Sequence, residues 1–533
     1  MKTLHAIFVC AVLGIGQVIV SHAAEVKLTA DDTTAWDGFG HSVSITRDYV
    51  IVGAPLNNDA GINAGSAYIF IRSGIDWKEQ AKLTASDVAA GDNFGHSVAI
   101  SRDTAIVGAP SDDDAGAWSG SAYIFVRRGR RWEEQAKLTA RDATVADAFG
   151  HSVAISRDTA IVGAPFDDDV GDGSGSAYLF VRRGETWTQQ AKLAASDGVE
   201  DDRFGHSVAI SDDFAIAGAP FDDDAGAWSG SVYTFMRRGE TWTQQAKLTA
   251  SDAAKGDLFG ISVSISRDFA IVGAPFDDDA GSRSGSAYIF MRRREAWAQQ
   301  AKVTASDAGK SDQFGTSVAI DVNRAIVGAY LYDGKTQNSG SAYSFLRVDA
   351  SWIERTKITP RDAGEDNAAA IGAQGDQFGY SVAISGDFAI AGARYDDTLE
   401  GGPDGGSAYM YHSSTDLNVP LPVELALLAA TTLGQVKRTA LLQNFPNPFN
   451  PETWLPYALA TDAPVTIGIY DVQGQFVRQL DMGEQQAGGY FSREKAAYWD
   501  GKDQLGRAVS SGIYFYTLTA DSFHATRRLL ILK

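Results

Sequence analysis

The chain has 533 residues, of which 46 are basic and 67 acidic, so its formal net charge is -21. A charge of this sign argues against nucleic acid or an anionic membrane surface as the main partner, and it leaves cations and neutral ligands open. The length allows two to four average domains, or one large domain if the chain forms a ring of repeats.

The first 24 residues have the pattern of a secretory signal peptide. An apolar run from about Ala6 to Val20 follows Lys2 and precedes small residues that end at Ala24. The run is shorter than the ~20 apolar residues of a membrane span, which favours cleavage over an anchor. The single cysteine, Cys10, lies in this segment, so we expect no thiol or disulfide after cleavage. The pattern predicts a secreted or outer cell-surface protein with no transmembrane segment after cleavage.

Seven Phe-Gly pairs, each followed 14 residues later by Gly-Ala, mark an internal repeat. The Phe residues are Phe39, Phe94, Phe149, Phe204, Phe259, Phe314 and Phe378. Their spacing is 55 residues five times and then 64. A unit of this size cannot bury its apolar face alone, so the copies are expected to stack, either as an open solenoid or as a closed ring.

The fourth repeat illustrates the predicted secondary structure. Alternating apolar residues and turn signals predict strands at about Phe204–Ser211, Phe214–Pro220, Ser231–Met236 and Thr241–Leu248. No segment shows a helical period, which excludes helical solenoids. Four antiparallel strands in 55 residues are typical of one propeller blade.

The position of the last strand indicates that the ring is closed. A Trp follows each of the first six Phe residues by 38 positions, at Trp77, Trp132, Trp187, Trp242, Trp297 and Trp352. The seventh repeat reaches Ser407–Tyr411 without a Trp or a fourth strand, and Glu25–Thr29 at the N-terminus can supply the missing strand. We therefore predict an all-β fold with a seven-bladed β-propeller at residues 25–411, closed by the N-terminal strand. The six Trp residues are predicted to pack between blades rather than to form a sugar platform.

The repeat motif resembles a known family. Phe94-Gly95 with Gly108-Ala109-Pro110 is similar to the FG-GAP repeat of integrin α-subunit propellers and of many bacterial exported proteins. The resemblance covers about residues 25–412 and implies an extracellular adhesion or ligand-binding role. In integrin-like repeats a calcium loop, Asp-x-Asp-x-Asp-Gly, separates the two motifs. This chain has only short turns there, such as Ser101-Arg102-Asp103, so the family's calcium sites do not carry over.

Alternate connections of antiparallel strands lead to opposite faces of a propeller. The turns between third and fourth strands are rich in Arg, whereas the loops after second strands hold runs of three Asp. We therefore expect one acidic face and a basic underside. The Asp runs are candidate calcium sites because calcium takes about six to eight oxygen ligands; the alternative is a solvated loop in which Asp caps turns. The candidate residues are Asp112, Asp113, Asp114, Asp167, Asp168, Asp169, Asp222, Asp223, Asp224, Asp277, Asp278 and Asp279.

Two further repeated patterns have simpler interpretations. Paired acids in the crossovers between blades, such as Asp197 and Asp202, are predicted to form turns. A His follows the Phe by two residues in four repeats, at His41, His96, His151 and His206. These imidazoles are expected to line the upper mouth of the central channel, where packing is favoured over a shared zinc site because neighbouring blades hold the ligands too far apart.

The sixth and seventh repeats depart from the pattern on the acidic face. They contain an enlarged crossover from Arg361 to Gln377 and a long Gly-rich loop after Asp397. Irregular loops on a rigid scaffold are common binding sites, and divergence near the ring closure is the alternative. The candidate ligand-binding residues are Tyr330, Tyr332, Asp333, Arg394, Tyr395, Asp396 and Asp397.

The tail has a different pattern. Residues 412–440 are predicted to be a linker, and alternating strands such as Val465–Tyr470 and Gly512–Leu518 predict a small Ig-like β-sandwich at 441–533. The Asn-Pro-Phe-Asn-Pro motif and Ile469–Gly474 are similar to the sorting domain of type IX secretion substrates and to the Ig-like module of flagellar hook-capping proteins. The resemblance implies contact with secretion machinery, and a plain β-sandwich spacer is the alternative.

These observations favour a noncatalytic propeller that binds an extracellular glycan, matrix or protein ligand on its acidic face. The alternatives are a polysaccharide lyase or hydrolase, and a structural component of a surface layer. Catalysis needs an asymmetric set of groups with tuned pKa values, whereas this chain repeats the same residues around a ring. No catalytic residue is predicted, and calcium is the only candidate cofactor.

Overall fold

The computed structural model describes residues 25–74, 76–334, 336–348, 350–363, 375–397, 404–412, 439–441, 444, 452–490, 495–521 and 523–531. The predicted signal peptide, nearly all of the predicted linker and the Asn-Pro-Phe-Asn-Pro motif lie outside the described residues, as do parts of the enlarged crossover and of the Gly-rich loop. The chain divides into two compact units, Met1–Leu417 and Asn418–Lys533. Throughout the described ranges the regular structure is β-strand, with no helix long and apolar enough to cross a membrane.

The first unit contains 28 strands in the described ranges. In chain order they are β1 (Glu25–Leu28), β2 (Ser42–Ile45), β3 (Tyr49–Ala54), β4 (Ser66–Ser73), β5 (Asp76–Leu83), β6 (Ser97–Ser101), β7 (Thr104–Ala109), β8 (Ser121–Arg128), β9 (Arg131–Leu138), β10 (Ser152–Ser156), β11 (Thr159–Ala164), β12 (Ser176–Arg183), β13 (Thr186–Leu193), β14 (Ser207–Ser211), β15 (Phe214–Ala219), β16 (Ser231–Arg238), β17 (Thr241–Leu248), β18 (Ser262–Ser266), β19 (Phe269–Ala274), β20 (Ser286–Arg293), β21 (Ala296–Val303), β22 (Ser317–Asp321), β23 (Arg324–Ala329), β24 (Ser341–Val348), β25 (Ser351–Ile358), β26 (Phe378–Ser385), β27 (Phe388–Ala393) and β28 (Ser407–His412).

These strands form seven four-stranded antiparallel sheets, which we number as blades 1 to 7. Blades 1 to 6 each use four consecutive strands, from β2–β5 to β22–β25. Blade 7 combines β26, β27 and β28 with β1, which pairs with β28 so that Glu25 lies opposite Tyr411 and Lys27 opposite Tyr409. The prediction of a seven-bladed propeller closed by the N-terminal strand is confirmed.

Apolar side chains from two neighbouring blades share each core cluster. Leu83 of blade 1 packs with Phe94 and Trp132 of blade 2, and the Trp132 ring meets that of Tyr49 edge to face, with centroids 5.7 Å apart. Trp132 Nε1 also donates to Gln80 Oε1 in blade 1, at 3.0 Å. The same hydrogen bond joins Trp187 to Gln135, Trp242 to Gln190 and Trp352 to Gln300. The Trp residues therefore pack between blades, as the sequence predicts.

The glycines of the repeat motif lie where neighbouring backbones touch. A Cβ on Gly163 would come within 3.0 Å of the carbonyl oxygen of Gly205 in the next blade. The equivalent contact at the ring closure joins Gly392 of blade 7 to Gly40 ahead of blade 1, and Ser381 Oγ donates to that Gly40 carbonyl at 2.8 Å. Because any side chain would separate the blades, the sequence needs glycine at both positions.

The second unit is a separate small β domain. Its strands are β29 (Ala440–Leu441), β30 (Thr453–Leu455), β31 (Tyr457–Leu459), β32 (Ala463–Asp471), β33 (Phe476–Gln485), β34 (Gly488–Tyr490), β35 (Ala497–Trp499), β36 (Gly512–Ala520) and β37 (Phe523–Ile531). In the described part of the tail they form sheets ordered β33-β32-β36-β37, β29-β31-β34 and β30-β35. Their apolar faces bury Ile467, Trp499 and Tyr516 in one core cluster.

Gly392→Ala tests the close contact at the ring closure. The added Cβ would meet the Gly40 carbonyl, so we expect a loss of about 3 kcal/mol or more in the free energy of unfolding, the upper end of what overpacking costs. Denaturant unfolding of the propeller measures this loss. Gly386→Ala is the control, because Gly386 has a φ of +57° but nothing within 4 Å, so only the backbone cost of about 1 kcal/mol applies. Equal losses in the two variants would contradict the contact.

Candidate functional site

The loops after each second strand and the crossovers between blades meet on one side of the ring, which we call the loop face. In blade 2 the loop residue Trp118 accepts a hydrogen bond through its carbonyl from the amide of Ala148 in the following crossover, at 3.0 Å. Equivalent bonds join Asn63 to Asn93 and Gly173 to Arg203. In these blades the loop is therefore hydrogen-bonded to the crossover that leads into the next blade.

A lysine holds the acidic residues of the loop face together in each blade. In blade 2, Lys137 Nζ lies 2.9 Å from Asp112, 2.5 Å from Asp114 and 2.8 Å from Asp87 of the preceding crossover. Tyr123 donates its hydroxyl to Asp112, at 2.7 Å. We call this group, one lysine with its carboxylates and its tyrosine, a lysine anchor. Within the described ranges, the anchor lysines are Lys27, Lys82, Lys137, Lys192, Lys247, Lys302 and Lys357.

The anchors divide the predicted Asp runs by role. The first Asp of each run, at Asp112, Asp167, Asp222 and Asp277, is buried against the lysine, and the third, at Asp114, Asp169, Asp224 and Asp279, pairs with the same lysine from the surface. The middle Asp stays outside the anchor. All four middle Asp residues are exposed, and two of them also accept loop amides: Asp168 from Gly173 and Asp278 from Arg283. The runs therefore do not converge as three neighbouring ligands.

The lysine anchor bears on the predicted calcium sites, because it uses the same carboxylates. The oxygens of Asp87, Asp112 and Asp114 lie within 4.8 Å of one another, as do those of Asp252, Asp277 and Asp279, so these carboxylates could approach a metal ion. A lysine ammonium already bonds to all three members of each set. This arrangement favours the alternative in which the Asp residues organise the loops, and calcium binding stays a prediction.

The charges of the anchor are mutually stabilised. Burial alone lowers the pKa of Lys137, but its hydrogen bonds to the three carboxylates outweigh burial and leave the pKa above its usual value. Burial likewise raises the pKa of Asp87, but the bond from Lys137 outweighs it and leaves the pKa lowered. Both groups are therefore charged at neutral pH.

The paired acids of the crossovers have two roles. The first, such as Asp197, pairs with the anchor lysine of the next blade, Lys247, at 3.0 Å. The second, such as Asp202, is buried and accepts the amide of Val199 at 2.8 Å, which closes a turn. Burial raises the pKa of Asp202 to about 6. The predicted turn role describes the second acid of each pair, whereas the first also belongs to an anchor.

The candidate ligand-binding residues of blades 6 and 7 separate into three groups. Tyr332 and Asp396 belong to anchors, since Lys357 lies over the Tyr332 ring at 3.0 Å and Lys27 pairs with Asp396 at 2.9 Å. Asp333 and Asp397 accept loop amides, from Asn338 and Asp404 respectively. These four residues therefore hold the loops in place, and their role in ligand binding stays a prediction.

The remaining candidates do come together. Arg394 stacks on Tyr380 at 3.6 Å and on Tyr395 at 4.7 Å, and its Nε donates to Gln377 at 2.9 Å. Tyr330 meets Tyr380 edge to face, with centroids 5.4 Å apart. Tyr330, Arg394 and Tyr395 therefore form one aromatic and cationic cluster around Tyr380, a residue that sequence reasoning missed.

The four histidines form a row that continues from Tyr380. The ring centroids of His41 and His96, His96 and His151, and His151 and His206 are 5.0, 5.0 and 4.8 Å apart, and Tyr380 lies 5.1 Å from His41. Burial lowers the pKa of all four histidines. For His206, the Arg203 guanidinium adds to burial and brings the pKa to about 4. The row is therefore neutral at physiological pH, which agrees with a packing role.

A cavity of about 620 Å³ opens on the loop face between blades 2 and 4. Trp118, Phe166 and Arg203 line it together with His151 and the exposed acid Asp172. Sequence reasoning did not find this site, because the cavity arises where loops from different blades meet. The available signal was Trp118 itself, a large apolar residue in an otherwise polar loop.

Trp118 combines exposure with an unusual backbone conformation. Its side chain is 66% exposed and its φ is +57°, a region that bulky residues rarely adopt and that costs of order 1–3 kcal/mol. The equivalent position is Asn63 in blade 1 and Gly173 in blade 3, so the loop does not need an indole. Blade 4 has a second such residue, Trp228, with a φ of +60°. The backbone conformation of the loop therefore does not account for the indole at either position.

The arginines of the underside are paired with acids of the same face. Arg127 bonds to Asp103 at 2.8 Å within blade 2, and Arg128 bonds to Glu185 of blade 3, also at 2.8 Å. The same pattern joins Arg237 to Asp213. The underside is therefore less basic than its turn sequences suggest.

The fold and the loop face define the class of protein: a seven-bladed β-propeller whose loop face carries a cavity. Seven copies of the FG-GAP repeat match residues 23–70, 77–125, 132–180, 187–235, 242–290, 297–345 and 352–411. Because these matches cover more than half of the chain, the protein belongs to the FG-GAP repeat family. These repeats indicate a ligand-binding or adhesion-type domain. The tail matches the FlgD Ig-like domain at residues 453–523, and a search of curated proteins found no match.

Lys27→Met tests the anchor at the ring closure. The substitution leaves Asp396 buried without its cation, so we expect a loss of about 3–5 kcal/mol in the free energy of unfolding. Denaturant unfolding measures it, with Lys78→Met as the control because Lys78 is exposed on β5. A loss as small as that of the control would show that Lys27 does not hold the closure.

His206→Gln tests the neutral histidine row. The unfolded chain binds a proton below about pH 6.5 and the folded chain only below about pH 4, so His206 lowers stability as the pH falls through this window. At about 1.4 kcal/mol per pH unit, the variant should gain up to about 3 kcal/mol over the wild type by pH 4. Unfolding at several pH values measures this difference. The exposed His524→Gln is the control, and a pH-independent difference for His206→Gln would contradict the prediction.

Proposed function

We propose that this protein is an exported, noncatalytic binding propeller that recognises an extracellular glycan, matrix or protein ligand on its loop face. The observation that carries the proposal is the cavity of about 620 Å³ lined by Trp118, Phe166 and Arg203. Its volume lies within the ~300–1,000 Å³ of common ligand pockets. Its lining combines the rings of Trp118 and Phe166 with charged and polar side chains.

The chemistry of the repeated residues supports binding over catalysis. The anchor carboxylates bond to lysines, and the neutral histidines pack against one another. An active site needs acid and base groups with free access to a substrate and contrasting pKa values. The loop face uses its repeated charged groups to fix loops instead, and rigid loops suit recognition.

The tail supports the extracellular part of the proposal. Its match to an Ig-like domain, together with the predicted signal peptide, fits a role in directing secretion or attachment to the cell surface. In the producing cell, deletion of residues 441–533 is expected to prevent delivery of the propeller. Unchanged delivery would contradict this role.

A binding panel tests the propeller. The purified protein is passed over immobilised extracellular glycans and matrix proteins, and Arg203→Ala is compared with the wild type and with a control, Arg102→Ala, on the underside. We expect the wild type to retain at least one ligand, and Arg203→Ala to weaken that binding by about tenfold, or 1.4 kcal/mol. Retention of no ligand, or turnover of a polysaccharide, would contradict the proposal.

A further inference from the structure

We propose that the cavity between Trp118 and Arg203 binds a neutral saccharide, with one sugar ring lying against the indole of Trp118. This inference rests on the proposed function and names the ligand class of the same site. Three features of the cavity carry it: an exposed aromatic face, a stacked guanidinium with no carboxylate partner among the described residues, and charged groups of both signs.

The aromatic face is supplied by Trp118. Other residues adopt the same backbone conformation at the equivalent loop positions, with φ between 53 and 60°: Asn63, Gly173 and Arg283. The fold therefore does not require an indole at position 118. An exposed indole offers a flat apolar surface with a polar edge, which suits a ligand that is apolar on one face and polar at its rim. The apolar face of a sugar ring, with hydroxyls around it, has this form.

Arg203 is fixed but unpaired within the described chain. Its guanidinium stacks on Phe166 at 5.0 Å and on Phe221 at 4.3 Å. Across the described residues no carboxylate pairs with it and its Nε finds no hydrogen-bond acceptor, whereas the anchor lysines of the same face are all paired. The Nε–H is buried, so the terminal N–H groups of the guanidinium are the ones that can donate to a ligand in the cavity.

The charges around the cavity select against anionic ligands. The exposed carboxylates of Asp168, Asp172 and Asp201 lie on the same lining as Arg203. They oppose a polyanionic glycan, as does the net charge of -21, and a cationic peptide is the competing ligand that the test below includes. Hydroxyl groups both donate to carboxylates and accept from a guanidinium, so a neutral polyol can form hydrogen bonds with the acidic and the basic groups of the lining.

Two histidines complete the lining. His96 and His151 are neutral because burial lowers the pKa of both. His96 already donates its Nδ1–H to the His151 carbonyl at 3.2 Å, which leaves its Nε2 as an acceptor, while the neutral imidazole of His151 has one donor and one acceptor nitrogen; hydroxyl groups match both. The volume of about 620 Å³ is sufficient for a short oligosaccharide rather than a single small ion.

The test compares Trp118→Ala with Trp228→Ala in the intact protein. The two residues occupy equivalent loop positions, have φ values of +57 and +60° and are both exposed, but Trp228 is not among the described residues that line the cavity. The probes are soluble neutral hexose and N-acetylhexosamine oligosaccharides, hyaluronan and a tetralysine peptide, measured by calorimetry at low and high salt. Thermal unfolding confirms that both variants fold.

We expect a neutral oligosaccharide to bind the wild type and Trp228→Ala equally, and to bind Trp118→Ala at least about tenfold more weakly. This binding should change little with salt, because no net charge pairs with the ligand. Equal loss in both variants, or no loss in either, would overturn the assignment to the cavity. Salt-sensitive binding of hyaluronan or tetralysine alone would overturn the neutral-saccharide assignment and leave the proposed binding function standing. The panel of matrix proteins and glycans decides that function separately.

Discussion

The lysine anchor is the interaction on which the arrangement of the loop face depends. A buried carboxylate without a partner costs several kcal/mol, so Asp112 is stable in its position only because Lys137 and Tyr123 reach it. Each anchor joins the loop, the preceding crossover and the fourth strand of a blade. At the closure, Lys27 from β1 bonds to Asp362, 335 residues away, so the same interaction that fixes each loop also fastens the ring.

The fold could be predicted from the sequence because its signals are periodic and local. Phe-Gly and Gly-Ala recur where blades touch, and the missing fourth strand of the last repeat identifies β1 as the closing strand. The anchors were missed although Lys137 follows Phe94 by 43 residues, like the anchor lysines of the other regular blades. A run of acidic residues by itself predicts a metal site. Here the cation beside the run is a lysine, and it lies on another strand, so the run alone does not reveal it.

The proposed binding surface was harder to predict because it depends on contacts between blades. Tyr332 and Asp396 lie in an irregular sector, yet they occupy the positions where other blades place the first Asp of an anchor. The cavity forms instead among the regular repeats. Trp118 and Arg203 lie at repeat positions where other blades carry different residues, so the fold does not require either of them. Each complete anchor sets one lysine against three carboxylates, so the loop face stays acidic, and the groups outside the anchors are the guide to its ligand.

The calcium dependence of thermal stability tests the anchor most directly. If lysine ammoniums are the cations of the acidic clusters, the unfolding temperature of the chelator-treated protein should not change when millimolar calcium is added, because no open site remains to be filled. A rise of several degrees that disappears when Asp222 and Asp224 are replaced by Asn would contradict this account. Such a result would show that a metal ion displaces Lys247 from the cluster.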